Sequence, residues 1–358
     1  MSASPGIIIQ NTFFSFEEIK KSIPSGMDSY FHDTLEFCHN WLNGMDRIEI
    51  RTSGSTGEPK PIFLSKSQIM ASVKGSQKAL GLKVGMRCLI CINTNYIGGK
   101  MMLIRSMEIG MQATLVSPSS LPLSDSTQEF DFFSFAPLQM ENLLEQGYSN
   151  VLNNSKVIII GGGTISNRLE KQVKEISSPC FHTYGMTETV SHIALRRLNG
   201  DHKSANFSAL EGIQLRTDDR ECLEIYGEVT GNQWIRTTDV VELISEREFI
   251  YKGRIDDVIN SGGIKIHLHN LENEIASILS NKGIQNQFFL SSEKDEKLGE
   301  RLILILEAKE VPDDLSGILK DQLPDYHAPL KIYSIEEFSL TETGKIRKQE
   351  VLRKLSIL

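Results

Sequence analysis

Arg51-Thr52-Ser53-Gly54-Ser55-Thr56-Gly57-Glu58-Pro59-Lys60 packs four hydroxyl side chains, two glycines and one lysine into ten residues. Glycine lets a backbone approach a ligand closely and take positive φ. Successive backbone N–H groups and hydroxyls can then donate to phosphate oxygens. Lys60 adds a point charge suited to phosphate. The spacing is not that of the Walker loop, G-x-x-x-x-G-K-[ST]. Taken alone, the stretch reads either as a solvent-exposed turn or as a polyphosphate cradle.

The chain around it alternates strands and helices. Ser65-Lys66-Ser67-Gln68 is a capping box and predicts a helix to about Leu80. A strand follows at 87–92, a helix at about 99–109 and a strand at 113–116. Val157-Ile158-Ile159-Ile160 is a short apolar strand running into Gly161-Gly162-Gly163. Ser166 caps the next helix, and 180–183 is another strand. This alternation implies a largely parallel sheet covered on both faces, with ligands beyond the carboxyl ends of its strands. Gly161–Gly163 and Tyr184–Glu188 both follow such ends. After about residue 205, strand-like pieces at 211–216, 222–227, 240–244 and 248–252 suggest a small antiparallel unit. From Arg254 onward a helix near 270–280, strands near 286–291 and 301–307, a helix near 312–322, a strand near 331–335 and a final helix make a compact α+β domain. The expected fold class is α/β. A large N-terminal domain (1–253), of mainly parallel sheet and helices plus the antiparallel β unit, precedes a small α+β C-terminal domain (254–358).

Composition narrows the functions available. The chain has 358 residues, 40% hydrophobic and 23% charged, as in a globular protein of about two domains. No apolar run approaches a membrane span, and the start lacks a signal-peptide pattern, so the cytoplasm is the default. The net charge of −8, without a basic block, argues against a nucleic-acid partner. Five cysteines make an odd, sparse set suited to a reducing compartment. Cys88 and Cys91 have half a zinc spacing, but they fall on a strand where positions three apart face opposite sides, and are read as core residues.

Three further segments follow the opening one: Tyr184-Gly185-Met186-Thr187-Glu188-Thr189, Gly253-Arg254-Ile255-Asp256-Asp257 and Gly344-Lys345-Ile346. Together, in this order, they resemble the acyl- and aryl-CoA synthetase superfamily of adenylate-forming ligases, from about residue 50 to the C-terminus. The resemblance implies an AMP-forming acid–CoA ligase using ATP, Mg2+ and CoA, with a small carboxylic acid as the other partner. Thr52, Ser53, Ser55, Thr56, Gly57 and Lys60 would hold the β- and γ-phosphates. Gly162 and Gly163 would lie along adenine. Thr183, Tyr184, Gly185 and Met186 would bind ATP as well, with the Tyr184 ring stacked on adenine. Thr187 would contact the α-phosphate and Glu188 would ligate magnesium. Asp239, in Thr237-Thr238-Asp239, and Arg254 would hold the ribose. Lys345 would bridge the substrate carboxylate and the α-phosphate. Asp256 would be the hinge of a mobile C-terminal domain, whose second orientation brings Gly262, Gly263 and Lys265 beside the thiol's tunnel.

Two departures from the family pattern bear on the substrate. Many members carry a histidine where Asn93–Gly99 stands, and this chain offers Tyr96 instead. Lys100 and Arg105 follow on a helix, where 101 shares a face with 105 and 100 with 104, so the two cations need not converge. A cation lining an acid pocket selects a second carboxylate. Tyr96, Lys100, Arg105 and His192 are the candidates for that pocket. The Tyr96–Arg105 block and the run Val190–Arg196 resemble the o-succinylbenzoate–CoA ligases of menaquinone biosynthesis. The second departure is length. About fifty residues precede the phosphate-loop-like stretch, against well over a hundred in typical relatives, and amphipathic pieces at about 15–22 and 28–43 stand in their place. Competing readings are another acid–CoA ligase, a stand-alone enzyme loading a carrier protein, and a non-catalytic nucleotide-binding protein. The sequence leaves the oligomeric state open.

Overall fold

The computed structural model describes residues 3–51, 61–123, 129–284, 286–340 and 346–357. It divides into two compact units. The first comprises Met1–Arg216, Glu224–Arg236 and Leu243–Ile250; the second comprises Thr217–Leu223, Thr237–Glu242 and Tyr251–Leu358.

The first unit is built on the strand Val157–Ile160, which is apolar and buried at every position. It runs parallel between Phe132–Phe135 and Cys180–Gly185. The parallel run continues outward through Arg87–Ile90, Gln112–Leu115 and Gly6–Ile9. Antiparallel strands extend both edges, with Thr12–Ser15 at one and His192–Arg197 then Phe207–Ala209 at the other. Strands buried on both faces lose the usual alternation and read as apolar runs. Phe130, Phe133, Phe135, Ile158, Ile160 and Leu169 share one core cluster.

Two helices matter for the site. Lys66–Leu80 starts at the capping box, where Ser65 Oγ accepts from the Gln68 N–H and Gln68 Oε1 accepts from the Ser65 N–H. It ends at Gly81, whose φ of +64° is the left-handed conformation that glycine adopts without strain. Ile97–Ile109 is buried from Met101 through Met107, a helix surrounded by protein. Arg105 is the one charge in that buried run. The helix Ser29–Leu42 packs against it. Thr34 and Thr94 share a 2.7 Å hydroxyl bond, Lys100 Nζ lies 4.4 Å from the centre of the Phe37 ring, and Trp41 Nε1 donates to Glu108 at 2.7 Å.

In the second unit, Gly299–Glu307 pairs antiparallel with Phe288–Asp295 and parallel with Lys331–Ile335. Leu302, Leu304 and Leu306 join Leu271 and Ile275 of helix Leu268–Asn281 and Leu319 of helix Leu315–Gln322. Ile303 and Ile305 instead join Phe289, Phe338, Val351 and Leu352. The five-residue apolar run thus feeds a core on each face of the strand. Ser261 and Ile264 pair across a two-residue hairpin, and Gly262 and Gly263 take φ of +60° and +86°, the signs such a turn demands. The architecture is α/β, with a large mixed sheet and a small α+β unit after it. All five cysteines are free and buried, including Cys88 and Cys91, which the sequence places in the core. Among the described residues no helix is long and apolar enough to cross a membrane.

Candidate active site

Arg51 and Pro61 face each other at the open end of the hairpin Arg47–Arg51/Pro61–Ser65. The chain between them carries Thr52, Ser53, Ser55, Thr56, Gly57 and Lys60, which lie outside the described residues. Lys345 also lies outside them, and the segment that carries it is bracketed by an antiparallel bridge from Leu340 to Ile346.

Gly161–Gly163 and Thr183–Gly185 sit side by side at adjacent carboxyl ends of the parallel strands. The Gly161 N–H donates to Phe135 O at 2.9 Å. His182 Nε2 donates to Gly163 O at 3.1 Å. A Cβ on Gly161 would strike Thr183 Oγ1, and Gly162 has φ +78°. The half-buried Tyr184 ring meets Phe249 edge-on at 5.0 Å and Phe207 at 5.8 Å. Gly185 has no room for a side chain: a Cβ would lie 2.6 Å from His192 Cα and against Ser191 O. These neighbours are backbone, so they cannot swing aside. Gly185→Ala is expected to cost about 1–3 kcal/mol of stability, read as a lowered urea midpoint; an unchanged midpoint would show that the two strands separate freely here.

The next residues turn sharply. Thr187–Thr189 is a single 3₁₀ turn, so Thr187 and the half-buried Glu188 stand at the head of strand Cys180–Gly185. The Thr189 hydroxyl accepts from the Met186 N–H and lies 2.9 Å from Ser191 O. Ser191 N–H donates to Thr189 O at 2.7 Å across Val190, which has φ +67° and ψ −56°. That is a γ-turn at positive φ, a rare conformation. Holding a β-branched residue there costs on the order of 1–3 kcal/mol.

Beyond the turn lies a buried polar cluster. Arg105 is 2% exposed, and its Nη2 donates to Ser191 Oγ at 2.6 Å. Ser191 Oγ also bonds Ser72 Oγ at 2.8 Å, and His192 Nε2 bonds Ser76 Oγ at 3.1 Å. Among the described residues Arg105 Nε has no hydrogen-bond partner. Burial alone pulls the guanidinium down to about 10, with no carboxylate among the described residues acting against it. It stays charged at neutral pH. Burial first, and then the Arg105 charge, hold His192 well below the ordinary histidine range, so it is neutral.

The sign of the His192 effect follows by linkage. The unfolded chain takes up a proton near pH 6.5 that the folded chain refuses, so this group's contribution is intact above that pH and is lost as the pH falls, by up to about 1.4 kcal/mol per unit. His192→Gln is expected to flatten the decline of the urea midpoint between about pH 6.5 and 5. His269 in the second unit is shifted the same way, so some slope persists. An unaltered slope would mean that His192 is charged in the fold.

Of the four candidates for the acid pocket, the structure brings Arg105 and His192 together. Lys100 lies over Phe37 instead, and Tyr96 is the residue before the helix Ile97–Ile109. Ser72, Ser76 and Ser191 escaped the sequence reading, because isolated serines carry no pattern. In the second unit, the Asp239 N–H donates to Thr237 Oγ1 at 3.0 Å. Asp239 and Asp257, after burial, raise the Tyr251 hydroxyl above its usual range. Arg254 reaches Asp256 at 3.5 Å in an exposed pair of small energetic weight. Gly262, Gly263 and Lys265 are exposed.

The sequence pattern of the AMP-binding enzyme family runs through residues 50–242, more than half of the chain. The chain belongs to the AMP-binding enzyme family. It is similar to the crystal structure of an acyl-CoA synthetase (AMP-forming)/AMP-acid ligase II-like protein from Dyadobacter fermentans, with 37% identity, 96% of this chain and 99% of that one covered, and a TM-score of 0.64. Two curated relatives are 2-succinylbenzoate–CoA ligases. That of Lactococcus lactis is 23% identical over 85% of this chain and 70% of its own length; that of Bacillus cereus (strain ATCC 10987) is 26% identical over 84% and 69%. The fold is also that of the o-succinylbenzoate coenzyme A synthetase of Bacillus subtilis in complex with ATP and magnesium, at 23% identity, 84% and 69% coverage and a TM-score of 0.69. The protein is an ATP-dependent, AMP-forming acid ligase.

Proposed function

We propose that this AMP-binding enzyme is an o-succinylbenzoate–CoA ligase acting in menaquinone biosynthesis, in the cytoplasm. The carrying observation is Arg105, a buried guanidinium with an orphaned Nε and no carboxylate partner among the described residues. A buried charge without a counterion is costly. A substrate with a second carboxylate would supply the missing partner through charge-assisted hydrogen bonds. Neutral His192, which feels the Arg105 charge, adds no negative charge of its own.

The remaining roles are those the family resemblance implies. Thr52, Ser53, Ser55, Thr56, Gly57 and Lys60 cradle the β- and γ-phosphates, and Gly162, Gly163 and Thr183–Met186 border adenine. Asp239 and Arg254 take the ribose hydroxyls. Glu188 offers one half-exposed carboxylate at a strand's carboxyl end, which fits Mg2+ held otherwise by phosphate oxygens. Bound there, magnesium neutralises phosphate charge. The aliphatic carboxylate of the acid attacks the α-phosphorus and pyrophosphate leaves. Thr187 and Lys345 stabilise charge where it develops. The C-terminal domain, 254–358, then turns about Asp256 to bring Gly262, Gly263 and Lys265 to the thiol. The CoA sulfur attacks the acyl carbonyl, loses its proton, and AMP departs.

Pyrophosphate release from ATP and Mg2+ tests this reading, with o-succinylbenzoate set against benzoate, short fatty acids and amino acids, with and without CoA. Release with o-succinylbenzoate and thioester formation with CoA support it. Release with a different acid keeps the ligase and removes this substrate. Thioester on a holo-carrier protein alone would make the enzyme a carrier loader.

A further inference from the structure

We infer that Ser191 is a positioning residue for the acid: aimed by the γ-turn at Val190, its hydroxyl fixes the Arg105 guanidinium in the orientation that receives the second carboxylate. The inference rests on the dicarboxylic-acid reading above and goes beyond it to a residue with no assigned part.

Three observations converge. First, the turn is held against its own residue. Val190 is β-branched and fully buried, yet sits at φ +67°, where glycine is the usual occupant. It stays there because the backbone is pinned on both sides, by Val190 N–H to Thr187 O at 2.9 Å and by Ser191 N–H to Thr189 O at 2.7 Å. Thr189, wholly buried, adds its hydroxyl to the same turn. Second, the turn leads directly into a register shift between His192 and Ala194 against strand Cys180–Gly185. Such an irregularity re-aims side chains. Here it places Ser191 on Arg105 and His192 on Ser76. Third, Ser191 Oγ holds Arg105 through one nitrogen only. Nη2 is bound at 2.6 Å, while Nε, its neighbour on the same edge, has no partner among the described residues. A guanidinium presents its donors in a rigid plane, so fixing one corner fixes where the others point. Ser72, on helix Lys66–Leu80, braces Ser191 from behind at 2.8 Å.

The same turn begins at Thr187 and Glu188. One short loop therefore ties the residues assigned to the α-phosphate and magnesium to the side chain that orients Arg105. A misplaced Ser191 would disturb recognition of the acid before it disturbed that of ATP.

The test uses the full chain and two acids: o-succinylbenzoate and 4-oxo-4-phenylbutanoate, which lacks the ring carboxylate. Ser191→Ala is expected to raise KM for o-succinylbenzoate about tenfold, with KM for the phenyl analogue and for ATP changed less than about twofold. Ser191→Thr, which keeps a hydroxyl, is expected to restore most of the loss. Should Ser191→Ala fold poorly, Ser72→Ala puts the best helix former at a helix position, and a rise of about threefold for o-succinylbenzoate alone is expected. Equal effects on both acids, or no effect of either alanine variant, overturn the inference while leaving the ligase reading intact. Wild-type enzyme that shows no preference for o-succinylbenzoate over its analogue overturns both.

Discussion

Replacing Lys345 by alanine is expected to slow pyrophosphate release by about 10²–10³-fold. ATP binding, followed as quenching or by calorimetry, should stay within about threefold, because only interactions strengthened in the transition state enter the chemical step. The carboxylate and the α-phosphate are both anions, and the bond between them cannot form until that repulsion is offset. A lysine at the junction does this as a point charge. The bridge from Leu340 to Ile346, together with the Arg347 N–H bonded to Ser339 O at 2.8 Å, closes the base of the segment that carries it. A variant that releases pyrophosphate at the wild-type rate would remove Lys345 from the mechanism. A variant that loses ATP affinity in proportion would make it a binding residue only.

Arg105→Leu is expected to raise KM for o-succinylbenzoate by about 100-fold, in the range measured for truncating one partner of a buried charge pair. The phenyl analogue should be nearly unaffected. Stability separates this from a structural role. In the free protein no carboxylate among the described residues compensates the buried Arg105 charge, so a leucine of similar bulk is expected to raise the unfolding free energy by about 1–3 kcal/mol. An arginine kept for packing would give the opposite: a less stable protein with unchanged selectivity. A rise in stability together with a loss of the dicarboxylic acid would mark a residue whose partner arrives with the substrate.

The fold was legible wherever local chemistry decides it. Ser65 and Gln68 satisfy the first N–H groups of a helix between themselves, and that pairing can be read from four letters. Val157–Ile160 has nothing but β-branched apolar side chains, and only a doubly covered strand uses such a run. Gly6–Ile9 went unread although it is equally apolar, because its parallel partner Gln112–Leu115 lies more than a hundred residues away. Phe132–Phe135 was hidden too, being defined by the strands on either side of it. At the site, the sequence offered both Lys100 and Arg105. Only packing separates them, since the neighbouring helix puts Phe37 under the lysine and leaves the arginine among hydroxyls. The turn at Val190 was illegible in principle. Valine there contradicts local preference, and the pinning hydrogen bonds come from tertiary placement.

The contact between Trp41 and Glu108 gives the protein an optical label. The chain has two tryptophans. Trp41 is 1% exposed, with its indole N–H donated to a carboxylate on the helix that carries Arg105. Trp234 is half-buried, beneath the Arg216 guanidinium at 4.0 Å. An indole enclosed in this way emits at shorter wavelength than a partly wetted one and is out of reach of aqueous iodide. The emission of Trp41 therefore watches the seating of the amino-terminal helix on the acid-site helix, in a protein that needs no dye to report it.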